Sequence, residues 1–299
     1  MGKIAFVFSG QGDQYPGMGK DFYEQYETAK EVFAMCDGVR PGTSEQCFRG
    51  SEEELKETAN TQPCLYAMEL AAASALLEKG VTPDAAAGFS LGEISAAALS
   101  GVFDAETGFR LVCRRGELMQ QEAKKHETSM TAVVKLSEEQ LEKICGRYSE
   151  VYAVNFNCPG QITVSGLSSQ MGEFSADVKA EGGRAIPLKV TGAFHSPFMK
   201  DAAKAFGQEL SATTLKNPAL PLYSDLTAKP YDGDPATLLS DQICNPVRWE
   251  ALIRNMIADG VDRFVEIGPG RTLTNMIKKI DPAVTAKTVT EYMEELKAC

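Results

Sequence analysis

The strongest constraint on the fold is an interruption in an otherwise regular pattern. Short apolar runs alternate with helical segments up to residue 121, and the alternation returns after residue 191. Alternating strands and helices imply a parallel sheet with helices on its faces, because parallel strands need long crossovers. In the first part, residues 4–8 read as a buried strand, 21–36 as a helix and 62–79 as a long Ala- and Leu-rich helix beginning at Pro63. Residues 85–88 read as a strand, and 91–99 and 107–121 as helices, the last with Phe109, Val112 and Cys113 on one stripe. The interruption has another order. Residues 130–134, 151–156, 162–165 and 184–190 read as strands, with helices over 137–147 and 168–181. Ser137 with Gln140 three residues on is a capping box, Asn157-Cys158-Pro159-Gly160 is a turn, and Gly182-Gly183 ends the second helix. The order βαββαβ is a ferredoxin-like unit. Beyond it, helices are expected over 197–210, 249–259 and from Thr272, with strands over 220–224 and 263–267. The fold expected is therefore α/β. A parallel-sheet core built from residues 1–127 and 192–299 carries an inserted ferredoxin-like subdomain, residues 128–191.

Composition narrows the function. At 299 residues the chain is long enough for one large domain or two smaller ones. The 30 Lys and Arg against 41 Asp and Glu give a net charge of −11, which argues against a nucleic-acid partner. No apolar run reaches the ~18 residues of a membrane span. The opening Met1–Phe8 segment has an apolar run of only five residues before Ser9-Gly10, so it reads as the first strand of a cytoplasmic protein rather than a signal sequence. The eight cysteines show no C-x-x-C and no zinc spacing, and are read as reduced, mostly structural thiols; no metal site is expected. With no obvious amphipathic seam, a monomer is the expected state.

Gly88-Phe89-Ser90-Leu91-Gly92 fits G-x-S-x-G, a nucleophile elbow. A sharp strand-to-helix turn lifts the serine hydroxyl out, and flanking glycines avoid a Cβ clash. The same five residues also fit a Gly-flanked serine at an ordinary helix start. The Leu91 N–H, at a helix N-terminus, can donate to an oxyanion. A serine nucleophile needs a base, and the chain has two histidines. His126 lies in the charged run Glu122–Glu127, and His195 in the semi-apolar loop Gly192–Phe198, so His195 is the better base. No carboxylate that would orient it can be chosen from spacing. Gly10-Gln11-Gly12 follows the first strand without completing a dinucleotide fingerprint, since Tyr15 stands where the third Gly belongs. It reads as a plain turn or as a loop lending an N–H to an oxyanion hole. Arg110, Arg114 and Arg115 share one helix. One of them could hold a substrate carboxylate bidentately, and at least two are expected to be solvated.

The residues at this point resemble a known family, the stand-alone malonyl-CoA:acyl-carrier-protein transacylases of bacterial fatty-acid synthesis and the related acyltransferase domains of polyketide synthases. The resemblance runs nearly the whole chain. It rests on Phe8-Ser-Gly-Gln-Gly12, Thr61-Gln-Pro63, Gly88-Phe-Ser-Leu-Gly-Glu93, Arg115-Gly116, Asn155 to Gly166, Gly192-Ala-Phe-His-Ser-Pro197, Gln242 to Trp249 and Glu266-Ile-Gly-Pro-Gly270. It implies a hydrolase-like core, Ser90 as nucleophile and His195 as general acid/base. It implies an oxyanion hole from the N–H groups of Gln11 and Leu91, and Arg115 as the anchor of the malonyl carboxylate. Gln62 is implied in substrate binding, Phe194 in crowding an α-methyl branch, and the Gln242 carbonyl in orienting the histidine. Phe89 departs from the family, which usually has His there. The implied reaction is ping-pong transfer of malonyl from malonyl-CoA to the phosphopantetheine thiol of acyl carrier protein, with no cofactor of the enzyme's own. The alternatives are an acyltransferase serving a polyketide or polyunsaturated-lipid synthase, a serine thioesterase or hydrolase using the same pair, and a non-catalytic interaction protein. An acidic carrier would need a local basic patch on this acidic chain, for which Lys124, Lys125, Arg184, Lys189, Lys278 and Lys279 are candidates.

Overall fold

In the computed structural model, which describes residues 2–298 and all their side chains except those of Lys189 and Thr191, the first strand is the centre of the molecule. β1 (Lys3–Phe8) is buried at five of its six positions. Its residues alternate between two cores: Ile4, Phe6 and Phe8 face one, Ala5 and Val7 the other. This two-sided burial is why the run is continuously apolar. β1 pairs in parallel with β2 (Ala85–Gly88) and β8 (Val261–Ile267). The edges are β7 (Leu222–Tyr223), beside β2, and β9 (Thr285–Thr288), beside β8, and both pairings are parallel. The order is β7-β2-β1-β8-β9.

Between β1 and β2 run α1 (Lys20–Gln25), α2 (Glu27–Val39), α3 (Thr43–Arg49), α4 (Glu52–Lys56) and α5 (Thr58–Glu78). The single helix expected over 21–36 is in fact two. Tyr26 is extended at φ −127° and ψ 129°, and its ring is buried, so packing of the ring wins over continuation of the helix. The long helix starts at Thr58 rather than beside Pro63. Pro63 sits one turn inside it, where the missing N–H costs only one hydrogen bond. α6 (Gly92–Leu99) and α7 (Ala105–Ala123) follow β2, and α7 packs along α5.

The interruption forms its own sheet. β3 (Thr128–Val134), α8 (Glu138–Cys145), β4 (Val151–Cys158), β5 (Gln161–Leu167), α9 (Ser168–Ala180) and β6 (Arg184–Thr191) follow in chain order. The sheet is antiparallel in the order β4-β5-β3-β6, the ferredoxin-like arrangement, and its helices cover a separate apolar cluster. The Ser137–Gln140 capping box is present. Pro187 lies in β6, an edge strand, where a missing N–H is tolerated. The two units are stitched where Phe156 donates its N–H to the Val247 carbonyl (2.9 Å) and Val247 donates to Val154 (2.8 Å).

The chain then returns to the core through α10 (Lys200–Ser211), α11 (Pro235–Asp241), α12 (Trp249–Ala258), α13 (Thr272–Ile280) and α14 (Val289–Ala298). The helix expected from 197 opens as a 3-10 turn before α10, and the strand expected over 220–224 narrows to two residues. Among the described residues no helix is long and apolar enough to cross a membrane.

Candidate active site

The end of β2 turns into α6 with no room for a side chain on either side. A Cβ on Gly88 would lie 1.9 Å from the Gly92 carbonyl carbon, and one on Gly92 would lie 2.3 Å from the Phe8 carbonyl oxygen. Ser90 sits at the apex with φ 54°, in the left-handed region that L-residues avoid. The strain is held by a buried carboxyl: the Ser90 N–H donates to Asp225 Oδ2 at 2.7 Å. His195 is also left-handed, at φ 59°. Strained backbone at both of these positions is the pattern expected of a working site.

His195 Nε2 lies 2.7 Å from Ser90 Oγ, and its Nδ1 lies 2.9 Å from the Gln242 carbonyl oxygen. A carbonyl only accepts, so Nδ1 carries the proton and Nε2 presents a lone pair to the serine hydroxyl. The ring is buried. Burial, assisted by the nearby Arg115 charge, pulls the imidazole down to about 4, so it is a neutral base across the physiological range. The oriented histidine thus needs no carboxylate. His126 lies instead against the Phe198 ring, at 5.2 Å between centroids.

The three arginines of α7 part company. Arg110 pairs with Glu106, and Arg114 with Glu117 and Glu209, all exposed. Arg115 is 0% exposed. It donates to Gln62 Oε1 at 2.9 Å, to Gln242 Oε1 at 2.6 Å and to Ser90 Oγ at 3.3 Å. Its partners are neutral, and among the described residues no carboxylate lies within 4.0 Å to form an ion pair with it. Its Nε is buried without a partner. Burial lowers its pKa to about 10, which leaves it cationic.

A polar layer underlies these groups. The Gln242 amide donates to the Ser90 carbonyl (2.8 Å) and to Glu93 Oε2 (2.9 Å), and Tyr231 donates to Glu93 Oε1 at 2.6 Å. Sequence reasoning passed over Glu93, Asp225 and Tyr231. Glu93 stood in a quoted motif, but nothing local marked Asp225 or Tyr231. Glu69 on α5, another buried acid, accepts from Ser9 Oγ (2.8 Å) and Ser95 Oγ (2.5 Å), and burial raises it to about 8.

The cleft above Ser90 is lined from the core by Gln11, Gln62, Phe89, Leu91, Arg115, Met119, Phe194 and His195, and from the second sheet by Met130, Asn155, Leu188 and Val190. The backbone N–H groups of Gln11 and Leu91 donate to no partner among the described residues. Phe89 packs edge-on against Trp249 at 5.5 Å and forms part of the wall. Of the basic candidates, Lys125 is engaged by Glu122, and Lys279 donates to Gln161. The side chain of Lys189 lies outside the described residues.

A strained serine on an elbow, a histidine oriented by a carbonyl and a buried arginine with no carboxylate in contact, all in one cleft, define a class: an acyl-transfer enzyme on an α/β core. The family described as "Acyl transferase domain" matches residues 5–294, and the chain belongs to it. The chain is an acyltransferase. It is 39% identical over 290 residues to the malonyl CoA-acyl carrier protein transacylase of Bacillus subtilis, covering 94% of this chain and 91% of that protein. The solved malonyl CoA-acyl carrier protein transacylase of Clostridium perfringens superposes with a TM-score of 0.95 at 34% identity, over 99% of this chain and 98% of that one. A malonyl-transacylase solved in complex with a type II PKS acyl-carrier protein also superposes at 0.95, with 32% identity, over 99% of this chain and 100% of that one.

Proposed function

We propose that this acyltransferase moves malonyl from malonyl-CoA to the phosphopantetheine thiol of acyl carrier protein, as a cytoplasmic monomer in fatty-acid biosynthesis. The observation that carries the reading is Arg115, a fully buried guanidinium beside Ser90 Oγ with no carboxylate of the protein within 4.0 Å among the described residues. A buried cation with no carboxylate in contact favours an acyl group that brings its own, and it disfavours acetyl, which leaves it unpaired. Gln62 and Gln242 hold the guanidinium, and Phe194 narrows the cleft where an α-methyl branch would lie.

The chemistry proceeds in two half-reactions. His195 Nε2 takes the Ser90 proton as Oγ attacks the thioester carbon. The oxyanion forms between the N–H groups of Gln11 and Leu91, each such donor being worth ~2.7–4 kcal/mol to the transition state. Collapse breaks the C–S bond, and CoA leaves as its thiol with the proton from His195. The carrier's thiol then gives its proton to His195 and attacks the malonyl-serine ester, and Ser90 leaves with that proton. This sequence uses no cofactor beyond the CoA of the substrate and the phosphopantetheine of the carrier.

Intact-protein mass after brief exposure to malonyl-CoA, and again after adding acyl carrier protein, tests the reading. A malonyl adduct that moves to the carrier is the expected result. An adduct that decays to malonate equally with or without carrier would mean a hydrolase. An adduct from another acyl-CoA alone would mean that the Phe89 wall serves a different acyl group.

A further inference from the structure

Two buried acids under the elbow are not used by the chemistry above. Asp225, in the turn after β7, and Glu93, on the first turn of α6, are both 0% exposed. Neither pairs with a cation within 4.0 Å among the described residues. Buried carboxyls without a cation partner are costly unless they are hydrogen-bonded. Both of these are. Asp225 Oδ2 accepts the N–H of Ser90 itself at 2.7 Å. Glu93 accepts from Tyr231 (2.6 Å), from the Gln242 amide (2.9 Å) and from the Asp225 N–H (3.4 Å). That Gln242 side chain aims Arg115, through the 2.6 Å bond to its guanidinium.

We propose that Asp225 and Glu93 are a positioning pair for the transfer reaction: Asp225 holds the left-handed backbone of the nucleophile, and Glu93 holds the Gln242 side chain that aims Arg115. The inference rests on the malonyl-transfer reading above. The two acids divide the labour. Ser90 at φ 54° needs a fixed acceptor for its N–H, or the turn relaxes and Oγ leaves the histidine. Arg115 needs Gln242 held from behind, because one neutral amide spans Glu93, the Ser90 carbonyl and the guanidinium. Burial pushes both carboxyls upward; the neighbouring Glu93 raises Asp225 further, whereas hydrogen bonds from Asp225, Tyr231 and Gln242 hold Glu93 down, and negative charge on either acid favours the buried Arg115 cation.

The division predicts different losses. Asp225→Ala should lower kcat for malonyl and acetyl alike by about 10²-fold, with KM within threefold, since a displaced nucleophile hurts every acyl group. Glu93→Ala should lower malonyl transfer selectively, cutting the malonyl-to-acetyl ratio by roughly tenfold or more. Asp225→Asn, which keeps an acceptor for the Ser90 N–H, should restore kcat to within about threefold of the parent. Thermal unfolding is measured on each variant, and rates are normalised to folded protein. Should the alanine variants not fold, Asp225→Ser and Glu93→Asp stay polar but fall short of their partners, and carry the same two expectations. Folded variants with parental kcat and parental selectivity would show the pair to be structural only and overturn the proposal. The parent protein is assayed alongside. If it forms no malonyl-serine, the functional reading itself fails; if it does and the variants match it, only the positioning pair falls.

Discussion

The two sheets that meet at the cleft are built for different tasks. The parallel sheet is buried on both faces, and Ser90 after β2, Gln11 after β1 and Asp225 after β7 stand at the ends of its strands, while Arg115 reaches the same place from α7 and His195 from the loop that leads out of β6. The antiparallel sheet brings mainly apolar wall to the same cleft, through Met130, Leu188 and Val190, with Asn155 as its polar contribution. Its β6 is an edge strand whose Ile186 and Leu188 remain 37% and 38% exposed. A nucleophile and a buried cation need rigid, satisfied neighbours, which a two-sided core supplies. A wall that meets different parts of an acyl-pantetheine arm needs only shape. The core thus holds the chemistry and one wall of the cleft, and the second sheet adds only the facing wall.

That division can be broken from the core side first. Ser90→Ala should fold as the parent does and accept no acyl group, a loss on the order of 10⁴–10⁶-fold read by mass adduct and turnover. Retained transfer would remove the serine from the chemistry. Arg115→Ala should cost malonyl transfer about 3–4 kcal/mol, or roughly 10²–10³-fold, while acetyl gains in relative terms. An equal fall for both would make the arginine structural.

The pH dependence sharpens the same contrast. Because burial pulls His195 down to about 4, the acid limb of kcat/KM for acylation should lie near pH 4. Between pH 7 and 5 the rate should change less than twofold, where a histidine of ordinary pKa would cost about 25-fold. A limb near 6.5 would show an imidazole more solvated than its position in the core implies.

On the other sheet the expected effects are smaller. Leu188→Ala should relax discrimination against bulkier acyl groups by at most about tenfold, measured as competing adducts, and leave the malonyl-serine step intact. A collapse of acylation would instead make the second sheet part of the chemistry.

The last effect leaves activity untouched and concerns stability alone. Glu69 is raised from 4.5 to about 8 by burial, so the folded chain keeps a proton that the unfolded chain releases. Stability therefore falls as pH rises from about 4.5 to 8 and levels off above. In denaturant titrations the Glu69→Gln protein should gain on the parent steadily from pH 5 to 8. A gap that stays constant with pH would show that Glu69 ionises normally in the core.

Much of this was legible in the residues. The strand of alternating cores, the capped helix at Ser137 and the elbow between Gly88 and Gly92 all depend on neighbours a few positions apart, and local spacing records such relations. The break at Tyr26 was not legible, because a buried ring and not a turn residue ends that helix. Of three arginines on one helix, spacing could say that at least two are solvated; the resemblance pointed to Arg115, and the packing of α7 against α5 is what buries it. Asp225 carried no local sign at all.

By itself, then, the amino-acid order determined the alternation that makes the parallel sheet, the inserted βαββαβ unit, and the glycines without which the serine turn could not close. These are steric and periodic facts of short range. The tertiary structure alone decided which groups meet. Asp225 reaches Ser90 across 135 positions and Gln242 reaches it across 152. Such contacts depend on how the sheet is threaded and not on any residue's neighbours. Burial, which turns a histidine into a neutral base and leaves an arginine waiting for an anion, is a property of the whole packed core.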